Sequence, residues 1–318
     1  MISLLDIWVL ADDYGARGYR WVAYFPVDTQ PVAPAVLRKI SKAYLPVVYS
    51  RFAAAECAKV GLEVECVPHG VETRLYKPYR PADRRAARDV IAMPRDAFVV
   101  GTVAANKGHP PRKGFSQLFA AFRTFSDRHP DARLYVHSLV TEEQGGPNLA
   151  ALAEAHGVRG RTNFVDPYKL HIGIDTETMC AIYNAMDVFC LPSKGEGFGI
   201  PLIEAQSCGT PVITTDFTAM TELCGAGWLV PPAALDDSLS TPGAWQAIPD
   251  VGAIVDALEE AYKMDRREMG RRAREFAMAY DWDAVFETGW APLVRRLTVE
   301  VLPRTYKRGQ ERGVDRAG

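Results

Sequence analysis

The stretch from Asp187 to Cys208 limits what this chain can fold into more than any other. Asp187-Val-Phe-Cys-Leu191 is a short apolar run closed by Pro192 and Ser193, the pattern of a strand covered on both faces of a parallel sheet. Pro201 stands where a first helical residue would, and Leu202 to Cys208 reads as a helix of about two turns stopped by Gly209 and Pro211. Between strand and helix lie Gly195, Gly197 and Gly199. Alternate glycines let the backbone approach a ligand and turn its N–H groups toward it, at the positive end of the helix dipole.

Two carboxylates modify that phosphate cradle. Glu196 lies inside the loop, and Glu204 is read into the first turn of the helix, its side chain tilted back toward the rim. Acids repel a diphosphate but accept charge-assisted hydrogen bonds from vicinal diols, so the loop is expected to hold a sugar and a ribose. Phosphates then need cations from elsewhere. Phe98-Val-Val-Gly-Thr-Val103 is a second strand-like run, followed by Asn106-Lys107, a Gly/Pro-rich loop, Arg112-Lys113-Gly114 and an amphipathic helix from Phe115 to Arg128 with Leu118, Phe119, Phe122 and Phe125 on one face. Strands of a parallel sheet deliver their following loops to one edge, so the basic and the acidic loop are expected to share a rim. For Lys107 a solvated surface charge accounts for the residue equally well.

These residues carry a resemblance. Glu196-Gly-Phe-Gly-Ile-Pro-Leu-Ile-Glu204, a Glu-x7-Glu pattern, with Cys208-Gly-Thr-Pro-Val212, Thr221-Glu-Leu223, Asn184-Ala-Met-Asp187, the Arg112-Lys113 pair and Pro68-His-Gly-Val71, resembles the donor-binding half of family 4 retaining glycosyltransferases. The likeness runs from about Tyr24 onward. It implies an α/β chain of the GT-B fold, two Rossmann-like domains facing a cleft. It further implies transfer, with retention, from a UDP- or GDP-linked sugar. Carried onto this sequence, the resemblance makes Glu196, Arg112 and Lys113 catalytic, and Gly197, Phe198, Gly199, Ile200, Glu204, Asn106 and Lys107 donor-binding, with Glu222 a further contact. No Asp-x-Asp metal signature is read in the sequence. Since cationic side chains can stand in for a divalent ion, no metal and no cofactor beyond the donor are expected.

The chain divides by pattern into residues 1–78, a partial Rossmann-like acceptor-side domain; 79–281, the nucleotide-sugar domain; and 282–318, a return helix with a basic tail. Strands are expected at Leu4 to Leu10, Tyr19 to Phe25, Leu45 to Tyr49 and Val64 to Val67, fewer than such a domain normally holds, and Gly15 and Gly18 do not form its glycine-rich first loop. The amino-terminal domain therefore reads as shortened, with an open sheet edge for a partner or a second copy to cover. That shortening motivates an alternative, a non-catalytic GT-B subunit that binds nucleotide sugar or a partner; a GT-B epimerase fits less well. Asp28 reads as a turn or cap residue, with contact to an acceptor across the interdomain cleft as its alternative, and His69 as a loop histidine near the linker, with a catalytic role as its alternative. His109, His129, His137, His156 and His171 receive no role from spacing. Residues 231–250 read as a surface excursion, and the last helix as a brace through Trp290 and Leu293.

Charge and cysteines exclude several classes. A net charge of −2 gives no basic face for nucleic acid. The six cysteines form no Cys-x-x-Cys pair, which disfavours zinc and suits reduced thiols in the cytoplasm. No apolar run reaches the ~20 residues a membrane helix requires, and Met1 to Leu10 lacks the marks of a signal peptide. The tail from Arg304 to Gly318 has five Arg/Lys against two acids. It reads as a solvated end or as a weak peripheral contact with an anionic membrane.

Overall fold

A computed structural model of the protein describes residues 1–11, 18–108, 110–236 and 243–299. Gly15, His109 and the basic tail lie outside the described residues. Two parallel sheets face each other. The first has four strands in chain order, β1 (Ile2–Leu4), β2 (Val22–Phe25), β3 (Leu45–Val48) and β4 (Glu65–Cys66), with helices α1 (Pro34–Ile40) and α2 (Arg51–Lys59) between them. Side chains alternate along these strands. Ala23, Phe25 and Val48 pack with Val36, Ile40, Ala53 and Cys57 under the two helices, whereas Val22, Tyr24, Val47 and Val67 turn to the opposite face.

The second sheet holds β5 (Phe98–Val103), β6 (Ala132–His137), β7 (Thr162–Phe164), β8 (Val188–Leu191), β9 (Val212–Thr215) and β10 (Gly227–Val230) in the order β10-β9-β8-β5-β6-β7. Its helices are α3 (Pro81–Ala86), α4 (Phe115–Arg128), α5 (Leu149–Ala155), α6 (Pro167–Ile172), α7 (Thr176–Ala185), α8 (Ile200–Ser207), α9 (Val251–Lys263) and α10 (Arg266–Ala277). Successive connections run one way from β5 to β7 and the other way from β8 to β10, so the winding reverses between β5 and β8. A doubly wound sheet opens a crevice at that place. The phenylalanine face of α4 is fully buried there, against the sheet and α9. No helix among the described residues is long and apolar enough to cross a membrane.

Two sequence expectations change. The strand read over Leu4 to Leu10 stops at Leu4, and Ile7–Val9 forms a 3₁₀ turn. Its partner β2 ends at Phe25, and Pro26 has no N–H with which to extend the ladder. The described parts of the 231–250 excursion form a clasp. Strands β11 (Pro232–Asp236) and β12 (Gln246–Pro249) pair antiparallel, Ala244 is buried in the core of the first lobe, and Gln30 and Trp245 exchange backbone hydrogen bonds of 3.1 and 2.8 Å. Helix α10 is mostly charged, and its narrow apolar stripe runs through Met269, Ala273, Phe276 and Ala277. Only Ala273 and Ala277 are buried, and Arg274 ties it down through the carbonyls of Thr73, Tyr76 and Ser207.

After α10 the chain returns to the first lobe. A short helix α11 (Trp282–Val285) and a π-helical turn at Phe286–Trp290 lead into helical residues 291–299. Trp290 meets Tyr24 edge-on at 4.9 Å, Leu293 is buried, and Arg296 pairs with Glu65 at 2.7 Å. A β-carbon on Gly70 would lie 2.5 Å from the Trp282 ring, so the linker after β4 needs a glycine here.

Candidate active site

The loops leaving β5 and β8 meet at the switch point of the second sheet. The backbone N–H of Lys194 donates to the Arg112 carbonyl at 2.8 Å. The Arg112 guanidinium donates to the Gly195 carbonyl at 2.7 Å and to the Glu196 carboxylate at 3.0 Å, and the Lys113 ammonium reaches the other Glu196 oxygen at 2.5 Å. Ser193 Oγ donates to Glu196 at 2.7 Å, while the Glu196 N–H donates to Thr218 Oγ1 at 3.0 Å. Thr218 holds φ at 55°, a left-handed conformation uncommon outside glycine, and so presents its hydroxyl to the loop.

Glu196 is 6% exposed. Burial alone would raise its pKa, but the Lys113 and Arg112 charges reverse the sign and hold it at about 2. Lys113 is pushed down chiefly by its own burial, against the pull of Glu196, whereas Arg112 is pushed up by Glu196. Without a ligand, then, the two cations spend their charge on one acid. Glu204 behaves differently. Helix α8 begins at Ile200, one residue before the Pro201 start that the sequence suggested, so Glu204 is its fifth residue. There it accepts the Tyr183 hydroxyl at 2.6 Å, burial pushes its carboxyl up, and it is absent from the residues lining the cleft.

That cleft, about 660 Å³, lies between the lobes and is lined by Asn106, Lys113, Glu196 and residues 197–201 of the second lobe. Asn106 serves the neighbouring loop. Its amide donates to the carbonyls of Leu139 and Pro147 at 2.9 and 2.8 Å. Lys107 is exposed, outside the lining, and bridges to Gly145 through its backbone. Glu222 is also committed elsewhere, accepting Arg51 Nε at 2.7 Å and the Phe52 N–H at 3.2 Å from the first lobe. One Asp-x-Asp pair does exist at Asp281 and Asp283, but the first accepts from Thr73 and the second pairs with Arg74 at the return helix. Among the described residues no cluster of His, Cys, Asp and Glu could hold a metal ion.

Glycine spacing had suggested close approach to a ligand. In the structure the space beside Gly195 and Gly197 is taken by the first lobe, since a β-carbon on either would stand 2.2 Å from the Asp28 carbonyl oxygen or from the Pro26 side chain. Gly195→Ala is therefore expected to force the lobes apart at this point, costing about 1–3 kcal/mol in a denaturant titration and weakening nucleotide binding as Arg112 loses its hold on the Gly195 carbonyl. Two first-lobe residues for which the sequence favoured a structural role are brought to this region. Asp28 feels the charges of both Arg112 and Glu196, with burial pushing its carboxyl up. His69 lines the cleft. Each follows the end of a first-lobe strand, which was the available signal, because such positions lie on the sheet's carboxyl edge.

Residues 97–241 match the family of glycosyl transferases group 1. Among curated proteins the chain is 29% identical over 209 residues to D-inositol 3-phosphate glycosyltransferase 2 of Catenulispora acidiphila, covering 65% of this chain and 45% of that protein. It is 30% identical over 228 residues to the D-inositol 3-phosphate glycosyltransferase of Corynebacterium glutamicum, covering 70% and 49% respectively. The chain thus spans about half the length of the curated relatives it matches. Sucrose-phosphate synthase from Thermosynechococcus elongatus has a similar fold, with a TM-score of 0.69 at 22% identity over 89% of this chain and 69% of that one. HepE of Anabaena, in complex with UDP and glucose, gives a TM-score of 0.64 at 20% identity over 87% and 72%. The matched segment contains both loops of the cleft, so residues 97–241 are similar to the group 1 glycosyltransferases, and the chain as a whole has the GT-B fold.

Proposed function

We propose that the protein is a retaining glycosyltransferase that moves a sugar from a UDP- or GDP-linked donor to an acceptor hydroxyl without a metal ion. The observation that carries this reading is the joining of Arg112 and Lys113 to Glu196 at the switch point, with Lys113 and Glu196 lining the cleft. An arriving diphosphate competes with Glu196 for the two cations. Glu196 is then released to accept hydroxyls of the donor sugar, or to stabilise positive charge on its ring. As the anomeric C–O bond breaks, negative charge gathers on the departing phosphate, where fixed cations lower the barrier more than they stabilise the bound donor. The acceptor oxygen bonds to the anomeric carbon from the same face, and its proton passes to a leaving phosphate oxygen. Solved structures of HepE with UDP and with UDP-glucose support a donor of this class in this fold.

A panel of nucleotide sugars tests the reading. The true donor at 100 times its Kd raises stability by ~2.7 kcal/mol, read as a shift in melting temperature. Release of nucleotide diphosphate from that donor is then expected to proceed at an unchanged rate in excess EDTA, because Arg112 and Lys113 supply the charge. A donor that binds and is never cleaved points to a non-catalytic subunit, and a rate abolished by EDTA removes the metal-free mechanism.

A further inference from the structure

Among the described residues one pair of cysteine sulfurs is in contact, and neither takes part in the chemistry above. Cys180 lies in α7 and Cys208 caps the end of α8, with their sulfurs 3.8 Å apart. Both residues are 2% exposed. What covers them is the linker between the lobes, for the Cys180 sulfur lies 3.6 Å from the Lys77 carbonyl, while Lys77 and Pro78 are themselves exposed. One layer of chain therefore separates this sulfur from water. Asn184 holds that layer down, its amide reaching the Lys77 carbonyl at 2.9 Å and the Cys180 sulfur at 3.5 Å.

The two thiols are unlike. The hydrogen bond with Cys208 comes first among the effects that lower the Cys180 thiol below its ordinary pKa, whereas burial holds the Cys208 thiol well above its own. Cys180 is thus the readier thiolate and Cys208 a protonated neighbour. That division lets one sulfur attack an oxidant and the other resolve the product. The gap between them needs only a small closure, to the ~2.05 Å of a disulfide.

We infer that Cys180 and Cys208 are a redox modification site, a dithiol that closes to a disulfide under peroxide and staples α7 to the end of α8 beneath the interlobe linker. The Cys180 thiolate attacks one peroxide oxygen, the O–O bond breaks, and the hydroxide that leaves takes up a proton to become water. Cys180 is then a sulfenic acid. The Cys208 sulfur attacks the Cys180 sulfur, and the sulfenic hydroxyl departs with the Cys208 proton as a second water. Two thiols have lost two electrons, and the peroxide has gained them. This site is independent of the donor reading, since it uses neither the cleft nor a sugar.

The full chain is treated with hydrogen peroxide, its remaining thiols are alkylated, and its peptides are mapped by mass spectrometry. A cross-linked pair of peptides carrying Cys180 and Cys208 is expected, and dithiothreitol separates it. Because the link joins residues 28 apart, the melting temperature is expected to rise by roughly 3–10 °C as the link forms and to fall back on reduction. Cys180→Ala and Cys208→Ala are each expected to lose both responses; the map of the parent decides the matter even where one of them folds poorly. Oxidation of Cys180 to a sulfinic acid without a cross-link overturns the inference, as does a cross-link to any other cysteine. A completed link that leaves the melting temperature unmoved, or a rise shared by the alanine variants, overturns the staple.

Discussion

Lys113→Ala is expected to lower the rate of nucleotide diphosphate release on the order of 10²-fold or more, with the fold retained. The Lys113 ammonium has two tasks at different times. Before the donor arrives it neutralises Glu196, a task it shares with Arg112 and Ser193, so the alanine variant still leaves the acid with two partners. In the transition state it faces charge growing on the leaving phosphate, and there Arg112 alone must serve. The deficit should therefore fall on kcat more than on the donor KM, the signature of a contact that strengthens as the bond breaks. A variant whose donor KM rises while kcat holds would assign Lys113 to ground-state binding only. Lys113→Met, which keeps the stem, separates loss of charge from loss of packing. The remaining ion pair also predicts an acid response. The Glu196 pKa lies below its ordinary 4.5, so the stability it contributes is complete above that value and is lost as pH falls from 4.5 toward 2. Glu196→Gln removes that segment of the acid profile.

The largest loss of stability is expected from Asp187→Asn. Arg88, Arg84 and Arg266 reach this one carboxylate at 2.6, 3.3 and 3.4 Å, and the Val99 N–H donates to it at 2.7 Å. The same guanidiniums also donate to the carbonyls of Ala185, Met186 and Asp187 just past the end of α7. Arg88 is 7% exposed in its side chain and Arg84 18%, so their charges are little screened by water. Removing the one acid leaves three cations crowded at the amino end of β5 and β8, the strands that carry the catalytic loops. A buried pair broken from one side costs about 3–5 kcal/mol, a large part of the ~5–15 kcal/mol that holds a folded protein together. A urea titration with an unchanged slope and a midpoint lowered to match would agree. A midpoint within error of the parent would mean that the arginines and the helix-end carbonyls suffice without Asp187.

Asp187 also shows what the sequence could and could not reveal. Asn184-Ala-Met-Asp187 supported the family resemblance, yet both polar residues are braces. Asn184 takes the Tyr79 N–H and returns a hydrogen bond to the Lys77 carbonyl, fixing the linker between lobes. The strands at Phe98–Val103 and Val188–Leu191 and the helix at Phe115–Arg128 were legible because apolar runs and a 3.6-residue period record burial directly. The meeting of Arg112, Lys113 and Glu196 was legible for a topological reason, since parallel strands send their loops to one edge. The start of α8 was less legible, because a helix boundary leaves a weaker mark on the sequence than an apolar period does. The occupants of the space beside Gly195 and Gly197 come from residues about 170 positions earlier, and a glycine records only that something is close. The pairing of Pro232–Asp236 with Gln246–Pro249 escaped notice for lack of a clear apolar pattern; backbone hydrogen bonds secure it instead.

The first sheet is made from the first residues of the chain but is finished by much later ones. Ala244 fills its helix-covered side, while Trp290 and Leu293 cover Tyr24 and its neighbours on the other. During synthesis, about 220 residues separate the emergence of β4 from that of its covering helix, an interval of roughly 10–45 seconds at ribosomal speeds. Throughout that interval one face of the nascent sheet stays wet, so the second lobe has time to fold first and then serve as the template on which its elder neighbour settles.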